Sequence, residues 1–193
     1  LVISKGSSGS DRIFVDAFIK PVEALKQDVK QRTYEAGLLM PALQMIFRTA
    51  NKNLRFKKDY LSGPAHPTVF QGKQVDPLKM IETANRIRLT DIPPLVQLRV
   101  VEEDRAVRGM DYFEAGGSEK LADTPSVIAR IFRRAASKKR MVVSAAQSID
   151  LNKRPLTYHW VVLQGKRDKI KIETRNGGAE AELVVAHHSR EDV

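Results

Sequence analysis

The spacing of apolar residues changes at Pro93-Pro94, and no other feature of the sequence constrains the fold as much. Before this point, apolar residues recur three or four positions apart, which is typical of amphipathic helices. After it, short runs rich in β-branched residues alternate with turn residues, which is typical of strands. We therefore predict an α+β chain with a helical domain over 11–92 and an antiparallel β domain over 93–193.

The N-terminal part is predicted to be mostly helical. Residues 12–19 are β-branched and aromatic and favour a short strand, with Pro21 in the first turn of the helix that follows. A second helix is predicted over 38–50, and Asp76-Pro77 is a typical helix start. Residues 1–10 are predicted to form a flexible leader because they end in Gly-Ser-Ser-Gly-Ser.

The C-terminal part is predicted to contain several strands and one ambiguous segment. Asn176–Gly178 is a hairpin signal between the last two strands. Residues 125–136 favour a short basic amphipathic helix, with a strand ending near Arg130 as the alternative. The predicted strands cover residues 95–101, 141–143, 156–163, 170–172 and 181–186.

The net charge of +10 is concentrated in one block, because residues 124–175 hold 13 basic and 3 acidic side chains. Such a block attracts anionic polymers, so a non-specific nucleic-acid binder is one alternative function. The three aromatics of the block, Phe132, Tyr158 and Trp160, are assigned to cores and no groove-reading motif occurs, which makes nucleic acid the less favoured partner. Candidate binding residues in this block are Arg133, Arg134, Lys138 and Lys139.

A second alternative is part of a secreted hydrolase. His66 lies in a turn-rich loop near Tyr60, and seven acidic residues cluster over 102–123, beside Tyr112. A histidine and carboxylates in one cleft could perform acid–base chemistry, although a histidine bonded to backbone and a solvated acidic loop are the simpler interpretations. The chain has no cysteine, which excludes disulfides and thiolate zinc sites, and no metal site or cofactor is predicted.

A strand-like run, a Ser-x-Asp pair, a polar turn and a Pro-Leu-x-Tyr-x-Trp segment follow one another in residues 142–160. Over about residues 138–188 the chain therefore resembles the PKD-like (polycystic-kidney-disease type) modules of the immunoglobulin fold. The resemblance implies an antiparallel β-sandwich over 93–193, with the acidic segment near 102–123 as an insertion. The residues that carry it are Ser148, Asp150, Pro155, Leu156, Tyr158 and Trp160.

Four residues of this motif are predicted to be structural. Side-chain alternation puts Leu156, Tyr158 and Trp160 on one face of a strand, and a tryptophan there is a typical anchor of a sandwich core. The Asp150 side chain is expected to bond its own backbone across the turn. Where these modules usually have Gly or Asp, this chain has Asn152–Arg154, so a calcium-binding turn is not expected.

The resemblance implies a non-catalytic binding or adhesion module of an exported bacterial protein, with protein or anionic polysaccharide as the partner. We expect it to be secreted or periplasmic, with any signal peptide outside the present chain. No run of eighteen apolar residues occurs, so no transmembrane segment is predicted.

Overall fold

The computed structural model describes residues 9, 11–67, 69–115, 118–133 and 135–189, so that the predicted leader lies outside it except for Gly9. These residues form helices and antiparallel sheets, which confirms the predicted α+β class. The helices are α1 (Arg12–Ala24), α2 (Gln27–Glu35), α3 (Leu39–Ala50) and α4 (Pro77–Arg86). The strands are β1 (Arg99–Glu103), β2 (Lys120–Thr124), β3 (Val127–Arg130), β4 (Lys138–Ser144), β5 (Ile170–Arg175) and β6 (Glu180–Ala186).

The chain divides into two compact units. The first comprises Leu1–Leu95 together with Asp150–Arg154, and the second comprises Val96–Ile149 and Pro155–Val193. The first unit is therefore helical with one short segment that comes from much later in the sequence. All the described strands belong to the second unit.

Helix α1 replaces the strand predicted over residues 12–19. The same apolar residues repeat at i, i+1, i+4 and i+5, which is helical spacing, and the rings of Phe14 and Phe18 lie 6.3 and 5.1 Å from that of Phe47. Burial against α3 therefore outweighs the strand preference of the β-branched residues. Pro21 is buried inside α1, so the helix predicted to start there instead begins at Arg12.

Helices α3 and α4 agree with their sequence patterns. Helix α3 buries Leu43, Ile46 and Phe47 on one stripe, as the spacing predicts. The Asp76 side chain accepts a hydrogen bond from the backbone N–H of Lys79 at 3.0 Å, so the predicted N-cap of α4 is confirmed. The apolar stripes of α1, α3 and α4 face one another and form the core of the first unit.

The Asp150–Arg154 segment closes the first unit. Oδ1 of Asp150 accepts from the backbone N–H of Asn152 at 2.8 Å, which confirms the predicted Asx turn. The Arg154 guanidinium donates to the Asp150 carboxylate at 2.7 Å and to the carbonyl of Thr90 at 2.6 Å. Leu151 packs on the helical core, so this turn is part of the first unit's structure.

The second unit contains a four-stranded antiparallel sheet in the order β1-β4-β6-β5. Its centre is apolar, with Val142, Val143 and Ala181 buried. The predicted hairpin joins β5 to β6, where Asn176, Gly177 and Gly178 all take positive φ. Glycine adopts this conformation without steric cost, which explains the Gly-Gly pair.

Strand β3 contradicts the predicted helix over 125–136 and confirms the alternative, a strand ending near Arg130. It pairs with β2, with Thr124 opposite Val127 and Lys120 opposite Arg130. The hydroxyl oxygen of Thr124 accepts from the backbone N–H of Val127 at 3.1 Å and closes a tight turn. Pro125 therefore lies in a hairpin turn and not in the first turn of a helix.

Residues 156–163 are not paired as a strand, which corrects one predicted element. Their side chains nevertheless alternate as expected, with Leu156, Tyr158 and Trp160 partly buried and the residues between them exposed. The Trp160 indole N–H donates to the carbonyl of Gly178 at 2.8 Å, which fastens this segment to the β5–β6 turn. Trp160 is thus partly buried and does not lie at the centre of a core.

Candidate functional site

Acidic and basic side chains of the second unit meet in two buried ion pairs. Arg130 donates to Oε2 of Glu103 at 2.8 Å, with 8% and 9% of the two side chains exposed. Nζ of Lys139 donates to Oε2 of Glu119 at 2.7 Å, with 7% and 9% exposed. A buried charge without a partner is strongly destabilising, so each pair holds its two members in place. The expected solvated acidic loop is therefore wrong for Glu103 and Glu119.

Glu119 organises this part of the unit because three donors converge on its carboxylate. Besides Lys139, the backbone N–H of Ala106 donates to Oε2 at 2.9 Å and that of Arg133 to Oε1 at 3.1 Å. Burial raises the pKa of Glu119, but these three hydrogen bonds outweigh it and leave the pKa below its ordinary value. The carboxylate is therefore ionised at neutral pH and joins three separate parts of the chain.

Further ion pairs surround these two. The hydrogen bond from Lys120 is the main cause that lowers the pKa of Asp123, and the one from Arg140 has the same effect on Glu182. Of the thirteen basic residues in 124–175, seven form ion pairs within the described residues. These seven are Arg130, Arg133, Lys139, Arg140, Arg154, Lys171 and Arg175.

The predicted anion-binding residues of the block differ from one another in their surroundings. Lys139 is buried with Glu119, and Arg133 is paired with Glu114 at 2.5 Å. Lys138 alone of the three described candidates is exposed without an ion pair, because its side chain and that of Lys139 point to opposite faces of β4. Arg134 lies outside the described residues.

Tyr112 lines a polar cleft of about 260 Å³ in the second unit. Glu103, Glu119 and Arg130 also line this cleft, and all three are engaged in the buried pairs. The lowered pKa of Glu119 makes it a poor general acid at neutral pH, since the proton to be donated is absent. The cleft presents fixed charges and the Tyr112 ring to any ligand that enters it.

The loop that follows β1, residues 106–113, exposes large apolar side chains on a rigid frame. Met110 and Phe113 are 76% and 77% exposed. The Asp111 carboxylate accepts from the backbone N–H groups of Val107 at 2.7 Å and Ala135 at 2.8 Å. The aromatic residue presented to solvent here is thus Phe113, whereas Tyr112 beside it is partly buried.

His66 and Tyr60 lie together in the first unit. Nε2 of His66 is 2.7 Å from the Tyr60 carbonyl oxygen, and their rings are 5.2 Å apart, edge to face. Burial lowers the pKa of His66, an effect that the Tyr60 carbonyl opposes and the Arg48 charge reinforces. The simpler interpretation, a loop histidine bonded to backbone, is confirmed.

Tyr60 also lines a cleft of about 200 Å³ in the first unit. Two cations and an exposed aromatic ring belong to this cleft, Arg55, Lys79 and Phe56. They are not among the predicted site residues, although the run from Arg55 to Tyr60 carries a recognisable signal, three basic residues with two aromatics among them. The cleft is lined by Thr49, Leu54, Arg55, Phe56, Tyr60 and Lys79.

Within the described residues, no three His, Asp or Glu side chains converge in a way that could hold a metal ion. None of the helices in the described part of the chain combines the length and the apolar character needed to cross a lipid bilayer. Comparisons with protein-family models, with curated proteins and with solved structures find no match for this chain.

Proposed function

We propose that this chain is a non-catalytic binding or adhesion module that recognises a protein or polysaccharide outside the cytoplasm. The observation that carries the proposal is the 106–113 loop, which exposes Met110 and Phe113 while its backbone is held by hydrogen bonds. Exposed apolar side chains on a fixed frame are typical of recognition surfaces, because little ordering entropy is lost when they are covered.

The frame of this loop is hydrogen-bonded at both ends. Glu119 accepts the backbone N–H of Ala106 before the loop, and Asp111 accepts those of Val107 and Ala135. The tip is a tight turn in which Gly109 takes a φ of 88° and donates its N–H to the Tyr112 carbonyl at 2.8 Å. The backbone that carries these side chains is therefore ordered before a partner binds.

The character of the exposed residues favours a protein over a polysaccharide as the ligand. Phe113 and Met110 supply apolar contact area, and both residue types are enriched at protein interfaces. The alternative ligand, a polysaccharide, would bind in the polar cleft beside Tyr112. Paired charges and one aromatic ring line this cleft, whose volume is about 260 Å³. Both surfaces belong to the second unit, so one set of variants can separate them.

The PKD-like resemblance supports the same kind of function and the export that goes with it. The 156–160 segment alternates between partly buried and exposed side chains, and Trp160 is hydrogen-bonded to Gly178. The neighbouring sheet is antiparallel throughout. An immunoglobulin-like sandwich completed by the 156–163 segment is the finer arrangement that we propose for this region.

The proposal is tested by selecting ligands for the intact chain. Peptide-display and glycan-array selections should yield peptides with apolar anchors whose affinity falls at least tenfold on Phe113→Ser or Met110→Ser, in line with the cost of removing an interface anchor. Val161→Ser is the matched control, since Val161 is also an exposed apolar residue of the second unit, at 45%. It should change affinity by less than about twofold.

Two results would refute the proposal. One is turnover of an ester, glycoside or peptide by the chain, abolished by a single substitution that leaves the melting temperature unchanged. The other is a set of selected ligands whose affinity is the same for the parent and for both loop variants. Glycans that depend on Tyr112 but not on Phe113 would transfer the binding function to the polar cleft.

A further inference from the structure

The cleft of the first unit is cationic and has no carboxylate in its lining. Arg55 and Lys79 both line it, and neither forms an ion pair with any described residue. Two acidic residues near them in the sequence accept hydrogen bonds from backbone N–H groups. Asp59 accepts the N–H groups of Arg55 and Phe56 at 3.0 and 2.9 Å, and Asp76 accepts that of Lys79 at 3.0 Å. The Asp59 charge still interacts with those of Arg55 and Lys58, but Arg55 and Lys79 form no ion pair with a described residue, so their donor groups are open to a ligand.

Aromatic rings lie beside these cations. Phe56 is 65% exposed and Tyr60 is partly buried, and both line the cleft. Nζ of Lys58 lies 5.5 Å from the centre of the Phe56 ring, which adds a third cation near the same aromatic. Burial raises the pKa of Tyr60, so its hydroxyl keeps its proton at neutral pH and remains a hydrogen-bond donor.

The segment that carries Arg55 and Phe56 is held in place. The Asp59 carboxylate caps the 3₁₀ turn Lys57–Leu61, and the same turn is braced by His66 through the Tyr60 carbonyl. Backbone hydrogen bonds to Phe56 and Arg55 lower the pKa of Asp59, so this cap persists well below neutral pH. A backbone that is held in place before binding loses less entropy when a ligand arrives.

We propose that this cleft binds an organic anion in which a phosphate or carboxylate group is attached to a planar ring. Arg55 and Lys79 bind the anionic group, while Phe56 and Tyr60 contact the ring. The site is separate from the 106–113 loop and does not depend on the function proposed for that loop. Its volume of about 200 Å³ suits one such group.

The charge and the ring are both needed for this assignment. Surface cations alone hold anions weakly in water, because solvent screens each exposed interaction. Stacking of a flat group on an aromatic side chain adds affinity that does not depend on charge. A ligand that combines the two features therefore binds more tightly than either of its parts.

The experiment titrates the isotope-labelled 193-residue chain with phenyl phosphate and follows its amide NMR signals. Inorganic phosphate and phenol serve as the separate parts of this probe. We expect saturable shifts at the lining residues and an affinity at least tenfold higher for phenyl phosphate than for either part. Arg55→Gln, Lys79→Gln and Phe56→Ser should each weaken binding about tenfold, since hydrogen bonds to charged groups and ring stacking are each worth roughly that much.

Lys73→Gln is the matched control, because Lys73 is exposed in the same unit and does not line the cleft. It should leave affinity within twofold, and all variants should retain the parent's melting temperature. The proposal is overturned if phenyl phosphate and inorganic phosphate bind equally well, or if Arg55→Gln and Lys79→Gln bind as the parent does. Oligothymidylate, a single-stranded DNA, serves as a further probe. The proposal is also overturned if the affinity for oligothymidylate grows with its length and is unchanged by Phe56→Ser, because the site would then bind backbone phosphates and not a ring.

Discussion

The basic block 124–175 and the cationic cleft of the first unit differ in what surrounds their charges. The block has the larger excess of cations in the sequence, yet seven of its thirteen form ion pairs within the described residues. In the cleft, Arg55 and Lys79 have no such pairs. The number of charges in a segment therefore says less about anion binding than the pairing that the fold imposes.

Strand register explains why the block is neutralised. Antiparallel pairing of β1 with β4 sets Glu103 opposite Met141, beside Arg140, and pairing of β2 with β3 brings the Arg130 guanidinium to 3.4 Å from the Asp123 carboxylate. Acids from the 102–123 segment thus lie against bases that follow them by about 20–40 positions in the sequence. Among the described residues, no strand pairing includes the segment that carries Arg55, and its nearest acid, Asp59, caps the 3₁₀ turn Lys57–Leu61.

The most destabilising change should be removal of Glu119. Glu119→Ala leaves the Lys139 ammonium and two backbone N–H groups unpaired, so we expect a loss of about 3–5 kcal/mol in the free energy of unfolding, measured by urea denaturation. Lys139→Met should cost clearly less, because Glu119 keeps its bonds to Ala106 and Arg133. Equal losses for the two variants would show that the backbone bonds contribute little.

Replacement of two arginines of the block should cost different amounts of stability, because the acid paired with one is buried and the acid paired with the other is exposed. Arg130→Ala leaves the buried Glu103 carboxylate with only a distant contact to Arg105 at 4.0 Å, and should cost about 2–4 kcal/mol. Arg133→Ala breaks a pair whose acid, Glu114, is 69% exposed, and should cost at most about 1 kcal/mol. Thermal unfolding of the two variants side by side measures this difference. Similar losses of stability in the two variants would contradict the burial of the Arg130–Glu103 pair.

Acid should weaken the fold through carboxylates whose pKa is lowered. The Arg154 hydrogen bond is the largest cause that holds the pKa of Asp150 at about 2, below the ordinary value of about 3.9. A depressed pKa stabilises the folded state above the unfolded-state value, and this stability is lost as the pH falls from about 4 towards 2. Asp150→Asn should flatten that part of the stability profile.

The control for this prediction is Asp28→Asn, a change at an exposed position of α2 in the same unit. It should leave the slope of unfolding free energy against pH as it is in the parent. Denaturation curves at pH values between about 2 and 5 measure both variants. A parental slope in Asp150→Asn would mean that the pair with Arg154 does not form in solution.

Local patterns in the sequence predicted the elements that local forces decide. The N-cap at Asp76, the hairpin at Asn176–Gly178 and the Asx turn at Asp150 each depend on a few neighbouring residues, and all are confirmed. Helix α1 was missed because its β-branched residues favour a strand locally, whereas burial of Phe14 and Phe18 against α3 decides the outcome. Tertiary packing of this kind is not encoded in any short window.

The site residues were predicted less completely, for a related reason. Whether Lys139 is buried or exposed depends on which strand lies beside β4, and the sequence alone does not reveal that partner. Tyr60 was a predicted binding residue and does line a cleft, but its neighbours there come from α3, α4 and the turn between them. Only the folded chain brings Thr49 and Lys79 to the same cleft.

The central claim is that paired cations of the block contribute little to anion binding and that the open cations of the cleft contribute most. It is tested by the salt concentration at which the chain elutes from a heparin matrix. Two double variants each remove two positive charges, Arg55→Gln with Lys79→Gln from the cleft and Arg133→Gln with Lys171→Gln from the paired cations of the block. The cleft variant should elute at a clearly lower salt concentration than the parent. The block variant should elute at nearly the same salt concentration as the parent. Equal shifts, or a larger shift for the block variant, would contradict the claim.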